Sequence, residues 1–328
     1  MRIVQIAQHA TGRRCVAIVE GSKLALTDLG SVHEMVMSGK PLHATGETLD
    51  YASVYAGGAS DWKLLPAADH PTEPNCCLIT GTGLTHLKSA QNRNAMHEGP
   101  VTVTDSMKMY QWGVEGGKPA GGGIGAQPEW FYKGTGTILR GHGDPLDVPA
   151  FADDGGEEAE VAGVYVNDAN GVPRRVGFAM GNEFSDHVME RKNYLYLAHS
   201  KLRTCSLGPE LVLTQDFTAI RGKASIERGG AEIWSASLFT GEEAMSHSLE
   251  NLEHHHFKYE GHRRPGDVHI HFYGAGAFSF GEGVALQNGD QMVVAFEGMG
   301  EPLRNPVHIV DRAALALAKV QPWTLPNR

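Results

Sequence analysis

The stretch from Gly156 to Val166, Gly-Glu-Glu-Ala-Glu-Val-Ala-Gly-Val-Tyr-Val, sets two glutamates two positions apart at the head of an apolar run. In an extended strand alternate side chains share a face, so Glu158 and Glu160 stand side by side among small apolar residues suited to a buried sheet. Carboxylates held that close repel each other, and the arrangement costs free energy unless a cation lies between them or one keeps its proton. A third acid, Glu183, follows Asn182 after a second apolar run, Val176 to Met180. Three such carboxylates make a hard oxygen donor set of the kind that suits Mg²⁺, Mn²⁺ or Ca²⁺. The same alternation fits an edge strand whose acids, Glu157 among them, face solvent. Pattern alone leaves both readings open.

A chain of 328 residues suffices for one large domain or for a small domain joined to a larger one. Its 41 glycines favour a turn-rich β architecture over a helical bundle. With 28 basic against 38 acidic residues and no basic block, nucleic acid is not an expected partner. Cys15, Cys76, Cys77 and Cys205 show no zinc-binding spacing, and the adjacent pair cannot form an ordinary bridge, so all four read as buried thiols in a reducing compartment. No apolar run approaches membrane-spanning length, and Met1-Arg2-Ile3-Val4 opens directly on strand-like sequence without a signal-peptide pattern. A cytoplasmic protein with no membrane association is expected.

The Pro-punctuated segment Leu65 to Pro74 reads as a linker, dividing the chain into a small N-terminal α/β domain, residues 1–70, and a main domain, residues 71–328. Strands are expected at Arg2 to Ala7, Cys15 to Glu20, Cys77 to Thr80, Ala159 to Asn167, Arg175 to Met180, Leu211 to Leu213, Ala231 to Ser237, His269 to Phe272 and Gln291 to Phe296. Helices are expected at Leu29 to Met37, Leu87 to Met96 and Glu242 to Leu252. Asn288-Gly289 signals a hairpin turn, since that pair takes positive φ readily.

Other constellations carry less chemistry. The glycine-rich run Gly116 to Gly125 lacks a Gly-Lys-Ser/Thr ending and reads as a flexible loop, with a lid role open to it. His254-His255-His256 point in different directions and read as a solvated helix end. His269 and His271 share a face, which suits either a pocket wall or two satisfied sheet histidines. Glu129 lies in Pro128-Glu129-Trp130-Phe131-Tyr132-Lys133. Among aromatics its carboxyl would have a raised pKa, as a general acid or base requires, and a surface glutamate after a proline turn is the other reading.

Taken together, these landmarks resemble the fumarylacetoacetate hydrolase superfamily over roughly Cys77 to Val307. They are Pro128 to Lys133, Glu158-x-Glu160, Gly181-Asn182-Glu183-Phe184-Ser185, Lys201 with Ser206-Leu207-Gly208-Pro209, Pro265-Gly266-Asp267-Val268, Phe296-Glu297-Gly298-Met299-Gly300, and Arg304-Asn305-Pro306-Val307. Asn193-Tyr194-Leu195-Tyr196-Leu197-Ala198-His199-Ser200-Lys201 is similar to a segment of 2-keto-3-deoxy-sugar-acid dehydratases, and the chain as a whole resembles the bacterial GguC-like group. The resemblance implies an α+β fold built on a mixed β-roll, a homodimer, and a divalent ion, Mg²⁺ first, with Mn²⁺ or Ca²⁺ as alternatives. It further implies Glu158, Glu160 and Glu183 as metal ligands, Glu129 as acid/base, Lys201 as the pocket lysine, and Lys133, Ser89, Gly276 and Ala277 as substrate contacts.

Glu183 stands where the family usually has Asp. The Asn-Tyr-x-x-His-x-x-Glu segment of the carbon-carbon hydrolases, whose His activates water, is replaced by Thr85-His86-Leu87-Lys88-Ser89, with Asn92 near the Glu position. His86, His97 and Glu98 are the nearby substitutes. The expected reaction is therefore Mg²⁺-dependent dehydration of a 2-keto-3-deoxy sugar acid, a pentonate giving 2,5-dioxopentanoate. Lys201 would take the C3 proton or stabilise the resulting charge, and a protonated Glu129 would donate to the departing C4 hydroxyl. The alternative is hydrolysis of a 2,4-diketo acid releasing pyruvate. A non-catalytic sugar-acid sensor is opposed by the intact acidic triad with Glu129 and Lys201.

Overall fold

The computed structural model describes residues 1–58, 60–87, 90–91 and 104–323. Ala159–Asn167 is a strand buried along its whole length. It pairs antiparallel with Pro173–Asn182 on one side and Val268–Phe272 on the other. Val268–Phe272 runs parallel to Cys77–Gly81, which in turn pairs antiparallel with Phe131–Thr135. Beyond Pro173–Asn182, Leu211–Val212 bridges to Arg2–Gln8, and Arg14–Glu20, Lys23–Thr27 and Ala44–Asp50 extend the sheet as a meander. The strands before residue 70 and those after it thus share one mixed sheet of 13 strands. With short helices at its margins the architecture is α+β.

A second sheet, ordered Ala231–Thr240, Ile220–Arg228, Gln291–Phe296, Leu303–Ile309 and Leu146–Val148, covers part of the first. Between the two, Ala159, Val161, Phe178 and Met180 pack against Ala224, Ile226, Trp234, Val294, Phe296 and Leu303. The alternate residues Ala162, Val164, Val166 and Ala179 join a separate core with Ile79, Leu207, Ile270 and Phe272. That alternation decides the site. Glu160 has the parity of Ala162, and Glu183 that of Ala179, so both point away from the inter-sheet core and toward the same side.

Several expectations change. The segment read as a linker is packed over its first part and exposed from Thr72 to Pro74. Ala67 and Ala68 are buried, the Ala67 N–H bonds Leu207 O, and Asp69 pairs with Arg14. The first helix is Val32–Ser38, started by the Ser31 side chain accepting from Glu34 N–H and stopped by Gly39 at positive φ. The late helix begins only at Leu249, because Ser248 caps it, and it continues to Phe257. The three histidines therefore lie inside the helix, and His255 and His256 are buried rather than solvated. Asn288-Gly289 forms a tight turn closed by Asp290 N–H to Gln287 O, but it leads into one strand instead of joining two. Most of the helix expected at Leu87 to Met96 lies outside the described residues. Among the described residues no helix is long and apolar enough to cross a membrane.

Candidate metal centre and active site

The antiparallel register sets Ala159 opposite Asn182 and Glu160 opposite Gly181, so Glu158 faces Glu183 across the pair, and the Glu183 N–H donates to Glu158 O at 2.9 Å. All three acids are buried, and each offers a carboxylate oxygen within 4.8 Å of the other two. The edge-strand reading is thereby overturned. Glu157 is buried as well, but on the other side, where its carboxylate accepts from Ser279 N–H and the Ser279 hydroxyl.

Cationic side chains surround the triad. Lys201 Nζ lies 2.6 Å from Glu158 Oε1 and 2.6 Å from Glu183 Oε2, and donates to Ser185 Oγ at 2.8 Å. Lys133 Nζ is 2.7 Å from Glu183 Oε1 and donates to the carbonyls of Phe184 and Lys201. His187 Nε2 lies 3.1 Å from Glu158 Oε1 while its ring stacks on Phe278. Glu160 Oε2 accepts the Gly274 N–H at 2.7 Å. Gly274 has φ +104, and a Cβ there would stand 2.3 Å from Thr85 Oγ1, so only glycine brings that N–H to the carboxylate.

Burial opposes ionisation of all three acids, and their neighbours separate them. Against burial, Lys201 and His187 hold Glu158 well below the usual carboxylate range. Burial and the charges of Glu183 and Glu158 push Glu160 well above it. Glu183 is raised by burial against the pull of Lys133 and Lys201. Burial lowers the Lys133 ammonium, and Glu158 raises His187 despite the burial of its ring. Three converging carboxylates, one of them strained toward its neutral form, are a donor set that a hard divalent cation fits, since its charge would offset the mutual repulsion that raises Glu160.

Glu129 is buried and accepts the Tyr194 hydroxyl at 2.8 Å on Oε1. Its Oε2 lies where a Cβ on Gly83 would be 1.8 Å away, so Gly83 gives the carboxyl its room. Glu129, Phe131 and Lys133 alternate onto one side of the chain. Phe131 sets its ring 4.9 Å from Lys201 Nζ and Lys133 reaches Glu183, and Glu129 precedes them in the same segment.

Of the expected substrate contacts, Lys133 directs its ammonium to Glu183 and two carbonyls, Gly276 is half-buried, and Ala277 packs in the core between the sheets. Ser89 lies outside the described residues, as do Lys88, Asn92, His97 and Glu98. His86 rests between the hydroxyls of Thr85 and Thr240, and burial lowers it to about 4. His269 meets His256, and His271 sits between Thr80 and Thr82. Burial depresses both to about 3, so they are satisfied neutral sheet residues. Sequence reasoning missed His187 and assigned no role to Tyr194 or Ser185. Asp186, which caps the helix His187–Lys192, was the available signal for a side chain set beside Glu158.

No family model matches the chain. Among solved structures, 2-keto-3-deoxyarabinonate dehydratase superposes with a TM-score of 0.72 at 19% identity, covering 95% of this chain and 100% of that one. Fumarylacetoacetate hydrolase from Exiguobacterium antarcticum superposes with a TM-score of 0.61 at 17% identity, covering 94% and 100%. The chain has the fumarylacetoacetate hydrolase fold. A further structure of this fold, 2-keto-3-deoxy-D-arabinonate dehydratase complexed with magnesium and 2,5-dioxopentanoate, gives a TM-score of 0.72 at 20% identity over 95% of this chain and 100% of that one. A probable 2-keto-3-deoxyxylonate dehydratase of Haloferax volcanii is 27% identical over 179 residues, which is 53% of this chain and 58% of that relative's length.

Proposed function

We propose that the protein is a Mg²⁺-dependent hydro-lyase that dehydrates a 2-keto-3-deoxypentonate to 2,5-dioxopentanoate. The observation that carries this reading is the convergence of Glu158, Glu160 and Glu183, with Lys201 bonded to two of them. The dehydratases of the same fold support the substrate class.

Glu158, Glu160 and Glu183 would hold the cation, which when bound would polarise the 2-oxo acid and ease proton loss at C3. Lys201, already a donor to carboxylates, stabilises negative charge developing on the substrate. Glu129 takes the C3 proton and returns it to the C4 oxygen as that group leaves as water. A proton then moves from C5 to C3 and another from the C5 oxygen to C4, giving the aldehyde. Lys133 holds Glu183, whose extra methylene over Asp is thus fixed between two ammonium groups. Gly276 remains assigned to the substrate side, whereas Ala277 is taken up by the core between the sheets, and a cytoplasmic homodimer is the proposed working form. The exposed apolar side chains Leu315, Leu317, Val320 and Trp323 support a subunit contact.

Hydrolysis of a 2,4-diketo acid would need a base for water. The pairing of both His86 ring nitrogens with threonine hydroxyls speaks against His86 in that role. The test is a panel of 2-keto-3-deoxy acids and 2,4-diketo acids assayed with Mg²⁺ and with excess EDTA. Turnover confined to 2-keto-3-deoxy acids and abolished by EDTA is expected, whereas turnover confined to diketo acids overturns the proposal.

A further inference from the structure

We infer that Tyr194 is a positioning residue for the acid/base Glu129, an inference that rests on the dehydratase reading of the site. Tyr194 opens a short 3-10 turn, Tyr194–Tyr196, in which the Asn193 side chain accepts the Leu195 N–H at 2.9 Å. Within that turn Leu195 is 81% and Tyr196 46% exposed, while Tyr194 is half-buried with its hydroxyl on Glu129 Oε1. The turn therefore leaves two large side chains, Leu195 and Tyr196, in water and directs the Tyr194 phenol inward. The turn runs directly into the helix Leu197–Lys201, so one continuous segment carries both the group that holds Glu129 and the ammonium that holds Glu158 and Glu183.

The chemical consequence lies in how the carboxyl is held. Tyr194 O–H donates to Oε1, while Oε2 lies where a Cβ on Gly83 would stand, so the phenol and the glycine together fix the plane of the carboxyl. Without the phenol the carboxyl loses the bond that holds Oε1, and the fraction of time spent in reacting geometry falls. Binding of the keto acid, which would run through a cation held by the carboxylate triad, is expected to change little.

A double-mutant cycle with Tyr194→Phe and Glu129→Gln tests this, read as kcat and KM for 2-keto-3-deoxypentonate with saturating Mg²⁺. Tyr194→Phe is expected to lower kcat about tenfold with KM within about twofold, and to cause no further loss in the Glu129→Gln background. An equal loss in both backgrounds, or a loss confined to KM, overturns the inference. Should the wild-type protein turn over no 2-keto-3-deoxy acid, the dehydratase reading itself fails. A crystal structure of Tyr194→Phe then decides the positioning role. A Glu129 carboxyl displaced from Gly83, with the triad unmoved, supports it, and a carboxyl that keeps its place overturns it.

Discussion

Glu158 and Glu183 face each other across adjacent antiparallel strands, and the Lys201 ammonium stands 2.6 Å from an oxygen of each. Like charges directly opposite in a sheet are destabilising, and burial enlarges the penalty. One lysine thus answers two buried acids. Removing it should leave Glu183 to Lys133 and Glu158 to His187, at a cost of up to about 3–5 kcal/mol. Lys201→Met is therefore expected to unfold at markedly lower urea concentration in EDTA, with much of the loss recovered when Mg²⁺ is added. Equal stability of variant and wild type in EDTA would show that Lys201 carries no such role.

The raised pKa of Glu160 gives a pH dependence of defined sign. Burial first, and then the charges of Glu183 and Glu158, favour its neutral form in the folded chain. Its contribution to stability is therefore whole below the ordinary carboxylate range and is lost as pH rises through the elevated folded value. In EDTA, stability should decline across that window, and Glu160→Gln should flatten the decline. Because the ligand form is the carboxylate, Mg²⁺ binding within the window should release a proton, seen by calorimetry as a heat that varies with buffer ionisation enthalpy. No buffer dependence would contradict the assignment.

His187 touches Glu158 through Nε2 and is fixed by stacking on Phe278. Groups that orient a metal-ligating carboxylate typically change metal affinity by about 10–100-fold when removed. His187→Phe keeps a ring for the stack and loses the bond, so Mg²⁺ affinity should fall at least about tenfold with the fold retained. Titration calorimetry with paired circular dichroism gives the answer, and unaltered affinity would remove His187 from the site.

The paired glutamates and the strand beneath them were legible because alternation and apolar flanks are local properties. Ala159–Asn167 and Gln291–Phe296 have the expected bounds, and Glu158, Glu160 and Glu183 converge as the family resemblance implied. What stayed hidden depends on partners distant in the chain. His255 and His256 look solvent-bound in sequence, yet the helix Leu249–Phe257 lays His256 against His269. Lys133 is named through the family resemblance as a substrate contact, and its partners Glu183 and the Phe184 carbonyl lie some fifty residues away in the chain, beyond the reach of local pattern. The segment 65–74 looked like a spacer because prolines break local pattern, while Ala67 and Ala68 within it join the core with Ile3, Val16 and Leu207.

Glu129→Gln preserves shape and hydrogen-bonding capacity but cannot exchange the same proton. It should lower kcat by about 10²-fold or more with KM little changed. Steady-state kinetics with the substrate that wild type uses checks this, and an unchanged kcat would place Glu129 outside the chemistry.

The central claim is elimination without cleavage of the carbon chain. Incubating the protein with Mg²⁺ and a 2-keto-3-deoxypentonate, then resolving products by mass spectrometry with a parallel pyruvate assay, tests it most directly. The account predicts a single five-carbon dicarbonyl, one water lighter than the substrate, and no pyruvate. Stoichiometric pyruvate from a 2,4-diketo acid, with the 2-keto-3-deoxypentonate recovered unchanged, would contradict it.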